Sequence, residues 1–328
     1  MNKELLNNFA NEIWDAAQKS KSVCILTHKN PDGDGLPAAM ALQEILKLKD
    51  VKADVVLEEL IPDSYYFLDG NKRTLVYSDE MDYETVILVD CHEADRVGKC
   101  APLIKKASNV FTIDHHIESK VLDFANNLIL PECVSAGVIV FNLFEKNMDV
   151  LSDVSKKYVG DCIYTTILND TDGFINANVS PHTFEVASKL MTYGMIPGKI
   201  AESFLMNRTV DEMKFIGATL SLIETHFDGR ILFMYSTLKM LDDLQLTSHA
   251  TSKLTGYVKG IKGVQLVVYF SELEPNYFRL NLRSNVINVN KIATVFDGGG
   301  HKNASGCRMY GSLEEIEKKI LKEIEKQL

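Results

Sequence analysis

Two hydrophobic periods alternate over the first 185 residues, and that alternation restricts the fold more than any composition figure. Leu5, Leu6, Phe9, Ile13, Trp14 and Ala17 keep a helical spacing, and Val23 to Thr27 is a short apolar run. Helical period returns from Ala38 to Leu48, Ala53 to Leu57 is a second run, and Thr85 to Asp90 a third. The run from Val110 to Asp114 is the fourth, followed by helix-like stretches at Ala136 to Lys146 and Val154 to Leu168. Strands separated by helices predict an α/β fold, a mostly parallel sheet flanked by helices on both faces. Ligands of such sheets bind beyond the carboxyl ends of the strands.

After about residue 185 the pattern changes. Glu185 to Met191, Lys199 to Met206 and Asp211 to Ile223 read as helical pieces broken at Gly194 and Pro197, where a hinge is expected. Ile231 to Tyr235, Val264 to Phe270 and Phe278 to Arg283 read as strands, Val289 to Phe296 as a helix, and Leu313 starts a charged C-terminal helix. These make a smaller α+β domain with a mixed sheet. The expected organisation is a first domain over 1–185, a helical linker over 186–215 and a second domain over 216–328. With 328 residues and 46% apolar content, both have core enough.

The polar residues at the strand ends carry the functional signal. The first run ends in His28-Lys29-Asn30-Pro31-Asp32-Gly33-Asp34-Gly35, the third in Asp90, and the fourth in Asp114-His115-His116. Parallel strands deliver all three groups to one edge of the sheet. Another cluster, Asn169-Asp170-Thr171-Asp172-Gly173, follows a helical segment. The first loop is not an EF-hand, because its twelfth position would be Ala41 and a strand precedes it. The adjacent pair His115-His116 cannot grip one ion from a straight strand, where neighbours point to opposite faces.

Several classes are excluded by what the chain lacks. Cys24, Cys91, Cys100, Cys133, Cys162 and Cys307 include no C-x-x-C pair, which argues against a zinc cage and a disulfide framework; they read as small, half-buried apolar residues. No segment approaches the roughly 18 apolar residues of a membrane span, and a cytoplasmic protein without membrane partners is expected. A net charge of −10 opposes binding to long duplexes. A polyanionic substrate then needs local positive charge, which metal cations can supply.

Carboxylates and imidazoles converging on one edge suit two-metal phosphoryl transfer, in which two divalent ions about 3.5–4 Å apart activate water and neutralise phosphate charge. Mixed oxygen and nitrogen ligands favour Mn²⁺, with Mg²⁺ as the alternative. Asp90, alone on its strand end, is placed to bridge the ions. In the second domain, Gly298-Gly299-Gly300-His301 is neither a Rossmann fingerprint nor a P-loop. Its glycines would let backbone N–H groups approach a phosphate, with Arg283 beside Ser284 as a bidentate clamp.

THKNPDGDG, ILVDC, TIDHH and LNDTDGF resemble, in order, the four motifs of the DHH phosphoesterases, and FDGGGHKNASG resembles the signature of the DHH-associated domain. The two-domain length is similar to the oligoribonuclease and pAp phosphatase branch. The resemblance implies that His28, Asp32 and Asp90 hold one metal ion, and Asp34, Asp90, His115 and Asp170 the other. It implies that His116 faces the phosphate, with Asp34 also in the catalytic set and Asp114 supporting the turn and its histidines. Asp172 stands where the family commonly has glycine, so Asp170 and Asp172 compete for the ligand role, and Asp170 is preferred for its distance to Phe174. Pro37 suits the first turn of the next helix. The second domain is implied to hold substrate through Arg283, Ser284, Gly298, Gly299, Gly300 and His301.

The expected activity is Mn²⁺-dependent hydrolysis of short single-stranded oligoribonucleotides to mononucleotides, together with removal of the 3′-phosphate from pAp. A phosphodiesterase of cyclic or linear dinucleotides and a catalytically silent nucleotide-binding module are the alternatives, and homodimerisation is left open.

Overall fold

Strands that are apolar on both sides need cover on both faces, and the first half of the chain supplies it. In the computed structural model, which describes residues 2–61, 63–116, 121–251, 254–258 and 260–328 without the side chains of residues 71, 249 and 301, the chain divides into two units, Met1–Asn207 and Arg208–Leu328. The first holds β1 (Val23–Leu26), β2 (Ala53–Leu57), β3 (Thr74–Val76), β4 (Thr85–Val89), β5 (Asn109–Asp114) and β6 (Asn126–Ile129). They pair in the order β3-β2-β1-β4-β5-β6, and every pair is parallel. Strand alternation feeds two cores. Val23, Ile25, Ile87, Val89, Phe111 and Ile113 pack with helices Lys3–Lys19, Gly35–Leu46, Ala136–Met148 and Asp153–Thr171. Cys24, Leu26, Val86, Leu88 and Val110 face the other way, onto Leu103 and Ile104 of helix Ala101–Lys106.

The strand order reverses between β1 and β4, so the crevice outside their carboxyl ends is the switch point at which α/β sheets bind ligands. Helix Gly35–Leu46 starts there, earlier than its apolar period marks, with Pro37 in its first turn. Helix Asp153–Thr171 runs past Leu168, which puts Asp170 in its last turn. The edge strands β3 and β6 escaped the sequence reading because one is three residues long and the other begins Asn-Asn.

Helices Pro181–Thr192 and Pro197–Leu205 belong to the first unit, since Leu190, Met195 and Ile200 join its core. The two compact units divide between Asn207 and Arg208, so the helices on both sides of Gly194 and Pro197 lie within the first. The second unit carries β7 (Glu224–His226), β8 (Ile231–Ser236), β9 (Leu266–Glu274), β10 (Tyr277–Ser284), β11 (Gly299–His301) and β12 (Ala304–Tyr310). Their order is β11-β12-β10-β9-β8-β7; β8 and β9 are parallel and the other pairs antiparallel, which makes the sheet mixed. Phe233, Leu280 and Leu282 meet Ile316, Ile320 and Ile324 of the C-terminal helix, while Leu232, Met234 and Tyr269 meet Phe215 and Leu241 on the opposite face.

All six cysteines are free and buried, deeper than their sequence reading as half-buried residues. Among the described residues no helix is long and apolar enough to cross a membrane.

Glu44 ties three elements of the first unit together. One of its oxygens accepts from Lys47 Nζ and Arg73 Nη1, both at 2.7 Å, and the other from Ser155 Oγ at 2.7 Å. The Arg73 guanidinium lies 3.8 Å over the Tyr158 ring. Burial alone would raise the Glu44 pKa, but these donors outweigh it and hold it down to about 2. A carboxylate depressed in the folded state stabilises fully above its unfolded pKa, and that contribution drains away as pH falls towards 2. Urea unfolding of Glu44→Gln should therefore show a loss of about 2 kcal/mol at pH 7 that shrinks markedly by pH 3.

Candidate metal centre

The loop after β1 is shaped by its own carboxylates. Asp32 Oδ1 accepts from the backbone N–H groups of Asp34 at 2.9 Å and Gly35 at 3.2 Å. His28 Nδ1 donates to the Lys29 carbonyl at 2.9 Å, which fixes the tautomer and leaves Nε2 facing inward, 3.6 Å from Asp32 Oδ1 and 3.4 Å from Asp90 Oδ2. Asp34 is buried and accepts from the first-turn amides of Ala136 at 2.7 Å and Gly137 at 3.1 Å. Glycine at 33 leaves room for its neighbours, because a Cβ there would stand 2.3 Å from Phe204 Cζ and 2.8 Å from Asn169 Oδ1, and one of them would have to shift.

Asp90 follows β4 at φ +59°, a left-handed conformation that Asp and Asn tolerate better than most side chains. Its oxygens look two ways. Oδ2 faces His28, while Oδ1 is 3.5 Å from His115 Nε2 and 3.3 Å from His116 Nδ1, is buried and has no hydrogen-bond partner among the described residues.

At the end of β5, Asp114 breaks the strand alternation. Its Oδ1 accepts from the N–H groups of His115 at 2.7 Å and His116 at 3.0 Å, and from His116 Nδ1 at 2.8 Å. The turn brings both rings to one side, with centroids 4.7 Å apart. His115 Nε2 then lies 3.1 Å from Asp170 Oδ2, 3.4 Å from Asp34 Oδ2 and 3.5 Å from Asp90 Oδ1. Asp172 is exposed at φ +52° as the left-handed cap of helix Asp153–Thr171, the kind of position that favours glycine and that Asp also adopts. Asp170 is the carboxylate that reaches the centre.

Sequence reasoning missed one buried neighbour. His92 Nδ1 lies 2.5 Å from Asp114 Oδ2. The only available signal was an imidazole two places after a strand-end aspartate, and a lone histidine carries little weight without its partner.

Among the described residues the donor atoms fall into three overlapping groups able to hold a cation, each within 4.8 Å: His28, Asp32 and Asp90; Asp34, His115 and Asp170; and Asp90, Asp114, His115 and His116. The electrostatics fit that chemistry. Burial, followed by Asp170, Asp90 and Asp32, pushes the Asp34 carboxyl well above its usual range. Burial, with Asp32 and Asp90 adding to it, moves Asp170 up to about 6 against the pull of His115. Burial disfavours a charged His28, yet the neighbouring carboxylates of Asp32 and Asp90 hold its pKa up to about 10; for His116 the bond to Asp114 and then the nearby charge of Asp90 do the same. The side chains are thus short of positive charge, and the unpartnered Asp90 Oδ1 is where a cation would meet that demand.

The second-unit residues are arranged differently. Arg283 is exposed, with Nη1 donating to the Leu282 carbonyl at 2.9 Å. Ser284 turns inward: its hydroxyl donates to the Gln265 carbonyl at 2.6 Å and accepts from the amides of Val286 and Ile287, so it closes a turn and does not face outward with Arg283. Packing alone demands glycine at 298, where a Cβ would stand 2.3 Å from the Gly306 carbonyl, and at 300, where φ is +132°. Gly299 is open to solvent, and the His301 side chain lies outside the described residues.

Residues 22–167 match the DHH family, N-terminal domain, and residues 231–328 match the DHHA1 domain. Two relatives named bifunctional oligoribonuclease and PAP phosphatase NrnA, from Thermus thermophilus and Bacillus subtilis, are each 24% identical to this chain. Their alignments cover 93% of it and 90% and 94% of those proteins. The crystal structure of an exopolyphosphatase-related protein from Bacteroides fragilis superposes with a TM-score of 0.88 at 22% identity, covering 97% of this chain and 96% of that one. With both domains in this order over a carboxylate and histidine centre at the switch point, the chain belongs to the DHH family of phosphoesterases.

Proposed function

We propose that this hydrolase of phosphoester bonds is a cytoplasmic, Mn²⁺-dependent enzyme that degrades short oligoribonucleotides to mononucleotides and removes the 3′-phosphate from pAp. The observation that carries the reading is Asp90, whose two oxygens face two separate groups of nitrogen and carboxylate donors. His28, Asp32 and Asp90 would hold one divalent ion, and Asp34, Asp90, His115 and Asp170 a second. Such a pair supplies an acidified water and neutralises phosphate charge. Imidazole among the oxygen ligands supports Mn²⁺ over Mg²⁺.

The side chains divide the remaining work. His116 donates through Nδ1 to Asp114, so Nε2 is the atom turned to substrate, and the ring is about one-third exposed. Held protonated by its carboxylate neighbours, it can donate to a phosphate oxygen or to the departing 3′ oxygen. The relatives' names, over alignments that span nearly the whole chain, support short RNA and pAp as substrates. Exposed Arg283 is the second-unit residue suited to a phosphate.

Rates on RNA of two to five nucleotides, pAp, cyclic di-AMP and pyrophosphate, each with added Mn²⁺, test the substrate. Short RNA and pAp should be turned over best, and a preference for pyrophosphate overturns the reading. Asp90→Asn keeps the left-handed backbone comfortable while removing the charge. It should lower kcat by more than about 100-fold, the upper end for losing a group that merely orients a ligand. Titration with Mn²⁺ followed by electron paramagnetic resonance separates the adjacent histidines: His115→Ala should weaken binding, while His116→Ala should bind like wild type and lose about 100-fold or more in kcat.

A further inference from the structure

His92 belongs to neither proposed ligand set, yet it is built into the centre. Its side chain is 2% exposed. A carboxylate can only accept, so the 2.5 Å contact with Asp114 Oδ2 places a proton on His92 Nδ1. The other ring nitrogen, Nε2, is buried with no hydrogen-bond partner among the described residues, and the Glu93 carboxylate stands 3.9 Å away. Leaving such an atom unmatched is unfavourable, and an apolar side chain of similar volume would avoid it. The imidazole gives one thing in return, its bond to Asp114.

That bond completes Asp114. Oδ1 gathers the amides of His115 and His116 and the His116 ring, and Oδ2 takes His92. With both oxygens engaged, the carboxylate plane cannot swing about its Cβ–Cγ bond. Because the His116 ring and its backbone amide meet at one oxygen, the direction of His116 Nε2 follows from that plane.

We propose that His92 is a positioning residue that aims His116 by locking Asp114 from behind. The imidazole–carboxylate–imidazole chain runs from the buried His92, through Asp114, to the one-third-exposed His116. Without the first member, Asp114 Oδ2 has no donor from position 92, and rotation of the carboxylate drops bonds at Oδ1. This rests on the reading of His116 as the group that meets phosphate, and it adds the residue that fixes its orientation.

Two variants test it. His92→Leu fills the space without a donor, and His92→Asn offers an amide N–H in place of Nδ1–H. Each is compared with wild type for kcat and KM on the best short substrate with Mn²⁺, for thermal unfolding, and for the downfield Nδ1–H resonance of His116 in metal-free protein labelled with ¹⁵N-histidine. The Leu variant should unfold near the wild-type temperature, keep KM within about twofold, lose about 10- to 100-fold in kcat and lose the resonance. The Asn variant should recover most of the rate and regain the resonance. A Leu variant with wild-type kcat and an intact resonance overturns the proposal, as do Leu and Asn variants equally impaired in rate and in unfolding temperature. If wild type turns over no nucleotide, the functional reading fails separately. The resonance then decides alone, and its persistence in His92→Leu refutes the lock.

Discussion

Four carboxylates, Asp32, Asp34, Asp90 and Asp170, share one largely buried space with His28, His115 and His116, and the rest of the first unit is organised around tolerating that. Buried like charges repel strongly where water cannot screen them. The protein answers with fixed donors: the first-turn amides of helix Ala136–Met148 on Asp34, loop amides on Asp32, and imidazoles on Asp90 and Asp170. What those donors leave unmet is a demand for cations.

Topology explains why the groups meet. Strand order reverses between β1 and β4, so the loops that leave these strands diverge and open a crevice at their carboxyl ends. His28 to Asp34 and Asp90 flank it, β5 adds the histidine pair, and the last turn of helix Asp153–Thr171 adds Asp170. Side chains distant in sequence thereby converge without a long loop carrying any of them.

Much of this was legible in the chain because the central strands are apolar on both faces and polar residues stop them abruptly. Val23 to Leu26 and Thr85 to Val89 are wholly buried, and the motif residues sit directly beyond them. The missed elements lack such contrast: β6 starts with two asparagines, β11 is Gly-Gly-His, and β12 carries Ser305 and Gly306. Asp170 and Asp172 could be ranked from spacing, but only the helix end shows why one faces inward and the other caps in the left-handed region. Ser284 and Arg283 were grouped because they adjoin in sequence; the strand's period of two turns such neighbours to opposite faces. His92 had no periodic or motif signal at all, since its meaning lies in a carboxylate 22 residues away.

Gly33 and Phe204 have a consequence of another kind. The ring tip occupies the volume that any side chain at position 33 would claim, so the two sites are complementary halves of one contact. Enlarging 33 would require the Phe204 ring, and the Asn169 side chain with it, to give way. In descendants of this chain, change at the helix that ends the first unit should thus be recorded as paired change in the aspartate loop, a correlation between positions 171 residues apart that is read from packing and owes nothing to catalysis.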